Sequence, residues 1–365
     1  MLSLSVLIHG ALGVFGTLVF WRAVRLPTAP QGKQGEKLSV IIPARNEENN
    51  IGHLLSSLRE GSVLPEQVLV ADDGSSDGTA DVARRQGAHV VTCREAPTGW
   101  QGKNWACAEG ARVAQGDFFL FLDADTVLEK DGLAKLLFHA QRFEGAFSLA
   151  PYHEVIRPHE FLSAFFNVVQ MMASGAFAPF ASRRTKRLFG PCLFIRRTDY
   201  LRVGGHAAVK DKILENFFLS QLLFQAGIPI GSASGEGVLR YRMYPTGLGD
   251  LIRGWSKALA RGATGASLGV LIAIVFWFIG ALGTARHFFG TLPAGLSGTL
   301  FLPALFYGFY TLQIYGMVRR AGRFGMGTAL FYPVGMVFFV GVFFYSVFRR
   351  FFGRTTLWKG RPVSS

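Results

Sequence analysis

Three apolar stretches close this chain, at 266–285, 298–318 and 328–348. Each is about 20 residues of small, aliphatic and aromatic side chains, the length at which a helix crosses a bilayer core. Phe and Gly are frequent in them, as bilayer helices allow. A fourth apolar run, 1–21, ends in Arg22 and Arg25. It has neither the basic start nor the small-residue cleavage site of a signal peptide. It is therefore read as an uncleaved anchor, and its flanking arginines place the region C-terminal to it in the cytoplasm. Segment 159–180 is also apolar but carries Asn167 and Gln170 one turn apart. It is predicted as an interfacial or buried helix. With three later spans the tail 349–365 would lie outside, yet it holds Arg349, Arg350, Arg354, Lys359 and Arg361. Either one C-terminal segment re-enters the membrane or the tail breaks the positive-inside rule. The sequence leaves both open.

Between anchor and spans the pattern is that of a soluble α/β domain, 37–262, entered through a Pro/Gly/Gln-rich linker within 22–36. LSVIIPA, QVLVADD, HVVTC and FFLFLDAD alternate with helical stretches such as NEENNIGHLLSSL and KNWACAEGARVA. Fully apolar strands between helices predict a mostly parallel sheet covered on both faces. The chain holds 38 basic and 24 acidic residues, a net +14, with a mean hydropathy of +0.28. Many of the cations adjoin apolar segments, so a membrane surface is predicted as partner and nucleic acid is not. Cys93, Cys107 and Cys192 have no metal-ligand spacing, which gives no disulfide framework and no zinc site.

Each strand ends on polar residues. Asp123 and Asp125 close FFLFLDAD, and two carboxylates flanking Ala124 can hold Mg or Mn and so neutralise a diphosphate leaving group. The plainer reading makes them turn or capping aspartates before Thr126. Asp72 and Asp73 close QVLVADD at the sheet edge where open α/β folds bind ligands. One of them can accept a uracil N–H, while Ser76 or Asp77 caps the next helix. Pro43, Arg45 and Glu47 follow the first strand. They suit a nucleotide, against a plainer capped helix with Asn46 as N-cap. Lys103 precedes a helix and is a candidate diphosphate contact, or simply a loop lysine. No G-x-G-x-x-G follows the first strand, which argues against a dinucleotide oxidoreductase.

Taken in order, IIPARNEE, VLVADDGSSDGT, the GKxxAxxxG pattern and FLDAD resemble the family-2 glycosyltransferases, over residues 37–262. The resemblance implies a GT-A fold and an inverting transfer from a UDP-sugar, assisted by Mg or Mn. Asp72 and Asp73 would hold the base, and Asp123 and Asp125 the metal and donor. The three spans, the element RMYPTGLGDLIRGWSKALARGA and the terminal TLWKGR look like the lipid-directed branch that includes carotenoid and hopanoid-associated enzymes. By that likeness Arg242, Tyr244, Trp255, Lys257 and Trp358 would face the acceptor or membrane. Glucose onto a carotenoid or other terpenoid is the expectation, at the cytoplasmic face of a multi-pass membrane protein. A polyprenyl-phosphate or glycerolipid acceptor is the alternative.

One departure matters. The family places its general base at the Asp of a Glu-Asp pair, and the matching positions here read Glu215-Asn216. An amide cannot take a hydroxyl proton as a carboxylate can. Glu215, expected to point elsewhere on its helix, and Asp211, about one turn away, remain as catalytic candidates; Asp211 can instead cap the helix. A carboxylic acid acceptor, ionised at neutral pH, would need no base. A member that binds without turnover is the other reading of Asn216.

Overall fold

The apolar run Leu38–Ala44 forms β1, and β2 (Gln67–Asp72), β3 (His89–Thr92) and β4 (Phe118–Leu122) extend the sheet parallel to it. A parallel pair needs a crossover; here the crossovers are α3 (Glu48–Arg59), α4 (Thr79–Arg85) and α5 (Gly102–Val113). The computed structural model describes residues 2–21, 25–26, 37–179, 187–212, 214–262, 266–294, 298–351, 356–358 and 361–363. The chain divides into two compact units: residues 24–152, 183–242 and 355–365 form one, and 1–23, 153–182 and 243–354 the other.

The first unit is the sheet unit. Its seven strands run β3-β2-β1-β4-β8-β6-β9, completed by β6 (Ala146–Ala150), β8 (Cys192–Arg196) and β9 (Ile230–Ser234). Only β8 is antiparallel to its neighbours. A short strand β5 (Thr126–Leu128) pairs antiparallel with β10 (Leu239–Tyr241). Helices α6 (Gly132–Phe143), α8 (Arg197–Arg202) and α9 (Glu215–Gln225) complete the layers. Val40, Ile42 and Leu120 pack on one face, and Ile41, Phe119 and Phe121 on the other, all within separate apolar clusters. This is the two-sided burial that the continuous apolar strands predict, in a mostly parallel GT-A arrangement. Strands β11 (Thr356–Trp358) and β12 (Arg361–Val363) form an antiparallel pair near the end of the chain. Linker residues 27–36, and Arg354 and Lys359 of the tail, lie outside the described residues.

The second unit is helical, entered through the two-residue strand β7 (Tyr152–His153). It holds α1 (Leu2–Ala11), α2 (Gly13–Val19), α7 (Ala164–Ser174), α10 (Leu248–Gly262), α11 (Leu268–Thr291), α12 (Phe301–Ala321), α13 (Met326–Leu330) and α14 (Tyr332–Phe351). Three helices are long and apolar enough to cross a membrane: Leu268–Thr291, Phe301–Ala321 and Tyr332–Arg349. The predicted anchor is shorter than expected. It turns at Leu12 into two pieces, and its Gly10, Gly13 and Gly16 sit against Phe306, Phe309 and Trp277 of α12 and α11. Gln313 donates to the Gly13 carbonyl and to Thr17 Oγ1, at 2.8 and 2.9 Å, and accepts from Trp277 Nε1 at 2.9 Å. Such bonds hold helices together where water is absent. Helix α7 is largely buried within this unit.

Candidate active site

The ends of β1 and β2 are held side by side, with Ala44 opposite Asp72 and the Asp73 N–H donating to the Ala44 carbonyl at 2.9 Å. Asn46 turns the chain with φ +53° and accepts from the Ser76 N–H at 2.8 Å. It does not cap α3, which begins one residue after Glu47 with no side-chain cap. Asp77 accepts from the N–H groups of Thr79 and Glu48, so the capping role falls to it. Asp72 accepts from Ser75, both from its N–H at 3.2 Å and from its hydroxyl, and so serves its own turn. Asp73 is buried, and Arg45 donates to its carbonyl with a guanidinium nitrogen 3.6 Å from its carboxylate.

Beyond β4, the N–H and hydroxyl of Thr126 both donate to the Asp123 carbonyl, at 3.1 and 2.7 Å. The two carboxylates of the Asp-Ala-Asp turn are therefore free of capping duty. Lys103, in the first turn of α5, reaches across to Asp123 Oδ1 at 2.7 Å and Glu215 Oε1 at 2.8 Å. It also donates to the Gly190 carbonyl at 3.4 Å.

Arg45, Asp73, Lys103, Asp123, Asp125 and Glu215 line one cavity of about 300 Å³. Five carboxylates enter it, from Glu47, Asp73, Asp123, Asp125 and Glu215, against two cations, Arg45 and Lys103. Pro43 forms part of the wall; Asp72 does not. Burial alone would lower the Lys103 ammonium, but Asp123 and Glu215 outweigh it and hold the lysine charged. Desolvation, with Asp123 and Glu47 close by, pushes the Asp125 carboxyl up to about 7, although Asp125 is itself exposed and water there works against that rise. An excess of hard, crowded oxygens is a donor set that suits Mg or Mn. Among the described residues no three His, Cys, Asp or Glu side chains form a ready-made metal cluster. A cation held by Asp123 and Asp125 would complete its shell from a diphosphate and water.

The three candidates for a base separate cleanly. Glu215 is the first residue of α9 and opens into the cavity; the expectation that it points elsewhere is wrong, because the helix starts there. Asn216 is buried and is not part of the cavity lining; its amide donates to the carbonyls of Phe189 and Gly190 at 3.2 and 2.8 Å, the second of which Lys103 shares. Asp211 is exposed, pairs with Lys212 at 2.7 Å, and neither reaches the cavity nor caps α9. Asn104 is a residue the sequence reading missed. Its amide nitrogen donates to the carbonyls of Val209, Lys210 and Lys212, and so holds the segment that leads into α9.

The residues expected to face acceptor or membrane are scattered. Trp255 is fully buried, stacked on Phe166 with ring centres 4.7 Å apart, and donates to Ser163 Oγ at 3.0 Å. It is a packing residue, because its apolar ring is worth more inside the helical unit than at a surface. Tyr244 (φ +56°) packs against it, and Arg242 and Lys257 are half-buried. Trp358 lies in β11, and its side chain is outside the described residues.

The family model for glycosyl transferase family 2 matches residues 39–189. Two curated relatives are the 4,4'-diaponeurosporenoate glycosyltransferases of Staphylococcus aureus (strain N315) and Staphylococcus haemolyticus (strain JCSC1435). The first is 34% identical over 96% of this chain and 94% of its own length. The second is 32% identical over 100% of both. Among solved structures, a mannosyltransferase from Pyrobaculum calidifontis, in complex with GDP-Man and Mn2+, covers 96% of this chain and 100% of its own. It aligns with a TM-score of 0.56 at 20% identity, a likeness of fold.

Proposed function

Because the chain belongs to glycosyl transferase family 2, we propose that it moves a hexose, glucose by preference, from a UDP-sugar onto the carboxylate of a carotenoid-like lipid at the cytoplasmic membrane face. The observation that carries this reading is the state of the base. Glu215 alone of the three candidates opens into the cavity, and it is already engaged by Lys103. Asn216 is committed to two carbonyls. A carboxylate oxygen needs no proton removed as it attacks the anomeric carbon, so this site suits it. The curated relatives point the same way, since the suffix of their substrate's name denotes a carboxylate.

In this reading the carboxylate forms a glycosyl ester with inversion, and the nucleoside diphosphate departs with the bonding electrons. Asp123 and Asp125 would hold Mg or Mn, which supplies positive charge for the leaving diphosphate. Arg45 and Lys103 add fixed cations beside it, and Asp73 lines the nucleotide side. A second reading, an alcohol acceptor, rests on the position of Glu215, which would take the proton once Lys103 turns to the diphosphate.

The test is transfer by the purified protein from radiolabelled UDP-glucose to a carotenoid acid and to the matching alcohol. The proposal expects an alkali-labile ester from the acid. A stable glycoside from the alcohol, with no product from the acid, would sink it.

A further inference from the structure

Helix α14 does not run the way a third crossing requires. Helices α11 and α12 lie antiparallel: Phe288 stacks on Tyr307 with ring centres 4.5 Å apart, and Trp277 bonds to Gln313. The end of α12 therefore returns to the face where α11 began. There Arg320 donates to the Trp21 carbonyl at 2.7 Å, and the Arg323 N–H to the His153 carbonyl at 2.8 Å. The chain then doubles back beside α12. By Leu330 its carbonyl accepts from Tyr307, at 2.6 Å, and Tyr307 lies about 21 Å along α12 from Ala321. Tyr332 opens α14 at the same depth, donating to the Ala281 carbonyl at 3.0 Å. From there α14 descends. Phe339 packs on Phe278, and Ser346 donates to the Ser256 carbonyl of α10 at 2.6 Å. Helix α10 immediately precedes α11, so α14 ends on the face where α11 began.

We infer that α13 and α14 form a re-entrant pair, so that both of its ends and the basic tail lie on the α10 face of the membrane and dock on anionic headgroups there. This rests on the reading of the apolar helices as bilayer helices. The distribution of charge agrees with it. Arg319 and Arg320 end α12 and Arg323 follows it, Arg349 and Arg350 end α14, and Arg253 and Lys257 lie on α10. At the opposite end, residues 286–300 carry Arg286 as their one Lys or Arg. Cations gather at the leaflet that carries negative lipid, which is the cytoplasmic one. The conflict between three long apolar helices and a basic tail then disappears, because α14 is long without crossing.

Single cysteines read this directly. The native thiols of Cys93, Cys107 and Cys192 are buried, so the unaltered chain is the blank. Gly290→Cys and Gly325→Cys enter open space, and Ser364→Cys marks the tail. In intact cells an impermeant maleimide should label Gly290→Cys alone, and all three after permeabilisation. Labelling of Ser364→Cys or Gly325→Cys in intact cells would overturn the re-entrant pair, as would a Gly290→Cys protected until the membrane is opened. Carbonate washing of the same membranes separates the two readings. Release of the chain would show the membrane reading itself to be wrong, whatever the labels report.

Discussion

The sheet unit and the helical unit treat their inward polar groups in opposite ways. In the helical unit Gln313, Tyr310, Tyr332 and Ser346 each donate to a main-chain carbonyl, so their bonds close within the protein. In the sheet unit five carboxylates meet two cations in one cavity. The difference separates structural from functional polarity. Where bonds close within the protein, a polar group orients a helix; where charge is left in excess, an ion or substrate completes the balance.

The sharpest way to break the contrast is Asp125→Ala. It removes an oxygen ligand and little packing, so transfer should fall by at least about 10²–10³, comparable to the loss of one transition-state stabiliser. Circular dichroism should stay native, and near-native turnover with Mn2+ restored after EDTA would place the metal elsewhere. Next comes pH. A carboxyl raised to about 7 binds a proton that the unfolded chain would already have released. Below that range the proton competes with the cation, so Mn2+ affinity should climb with pH and level off once Asp125 is ionised. By the same linkage, metal-free stability should fall as pH rises from about 4 to 7, and Asp125→Asn should flatten that slope. Calorimetric titrations with Mn2+ and melts without it check both signs.

Asn216→Asp is expected to do moderate harm. It replaces an N–H donor with a carboxylate facing the Phe189 and Gly190 carbonyls, costing about 1–3 kcal/mol and slowing transfer several-fold. A variant as fast as the native chain would return position 216 to the catalytic centre. The smallest effect belongs to the helical unit. Gln313→Leu should lower stability in detergent by about 0.6–2 kcal/mol and leave turnover unchanged. A fall in turnover without a fall in melting temperature would break the division between the two units.

The first four strands were legible because each is an apolar run that stops at acidic or small residues, as Leu38–Ala44 and Phe118–Leu122 do, whereas β6, β8 and β9 were not. The cavity was legible in part, since strand ends of a parallel sheet share one edge. What periodicity could not give is direction. Glu215 and Asn216 differ by about 100° around a helix, and which one faces the cavity depends on where α9 starts. The pairs that Lys103 makes with Asp123 and Glu215 were not legible, because those carboxylates are 20 and 112 positions away. Trp255 sits beside cations in the sequence, yet Phe166 and Ser163, from another part of the chain, bury it. The parity of the membrane helices was beyond reach for a similar reason: length and hydropathy do not report depth.

The central claim is that this site works on an acceptor that arrives ionised. It is tested most directly by the rate of Glu215→Gln on a carotenoid acid at saturating UDP-sugar. Glutamine keeps the size of the side chain and removes its basicity. The account predicts a turnover within a few-fold of the native enzyme, the remaining change coming from the lost pair with Lys103. A drop of about 10²–10⁴ on that acid, the range expected when a general base is removed, would contradict it.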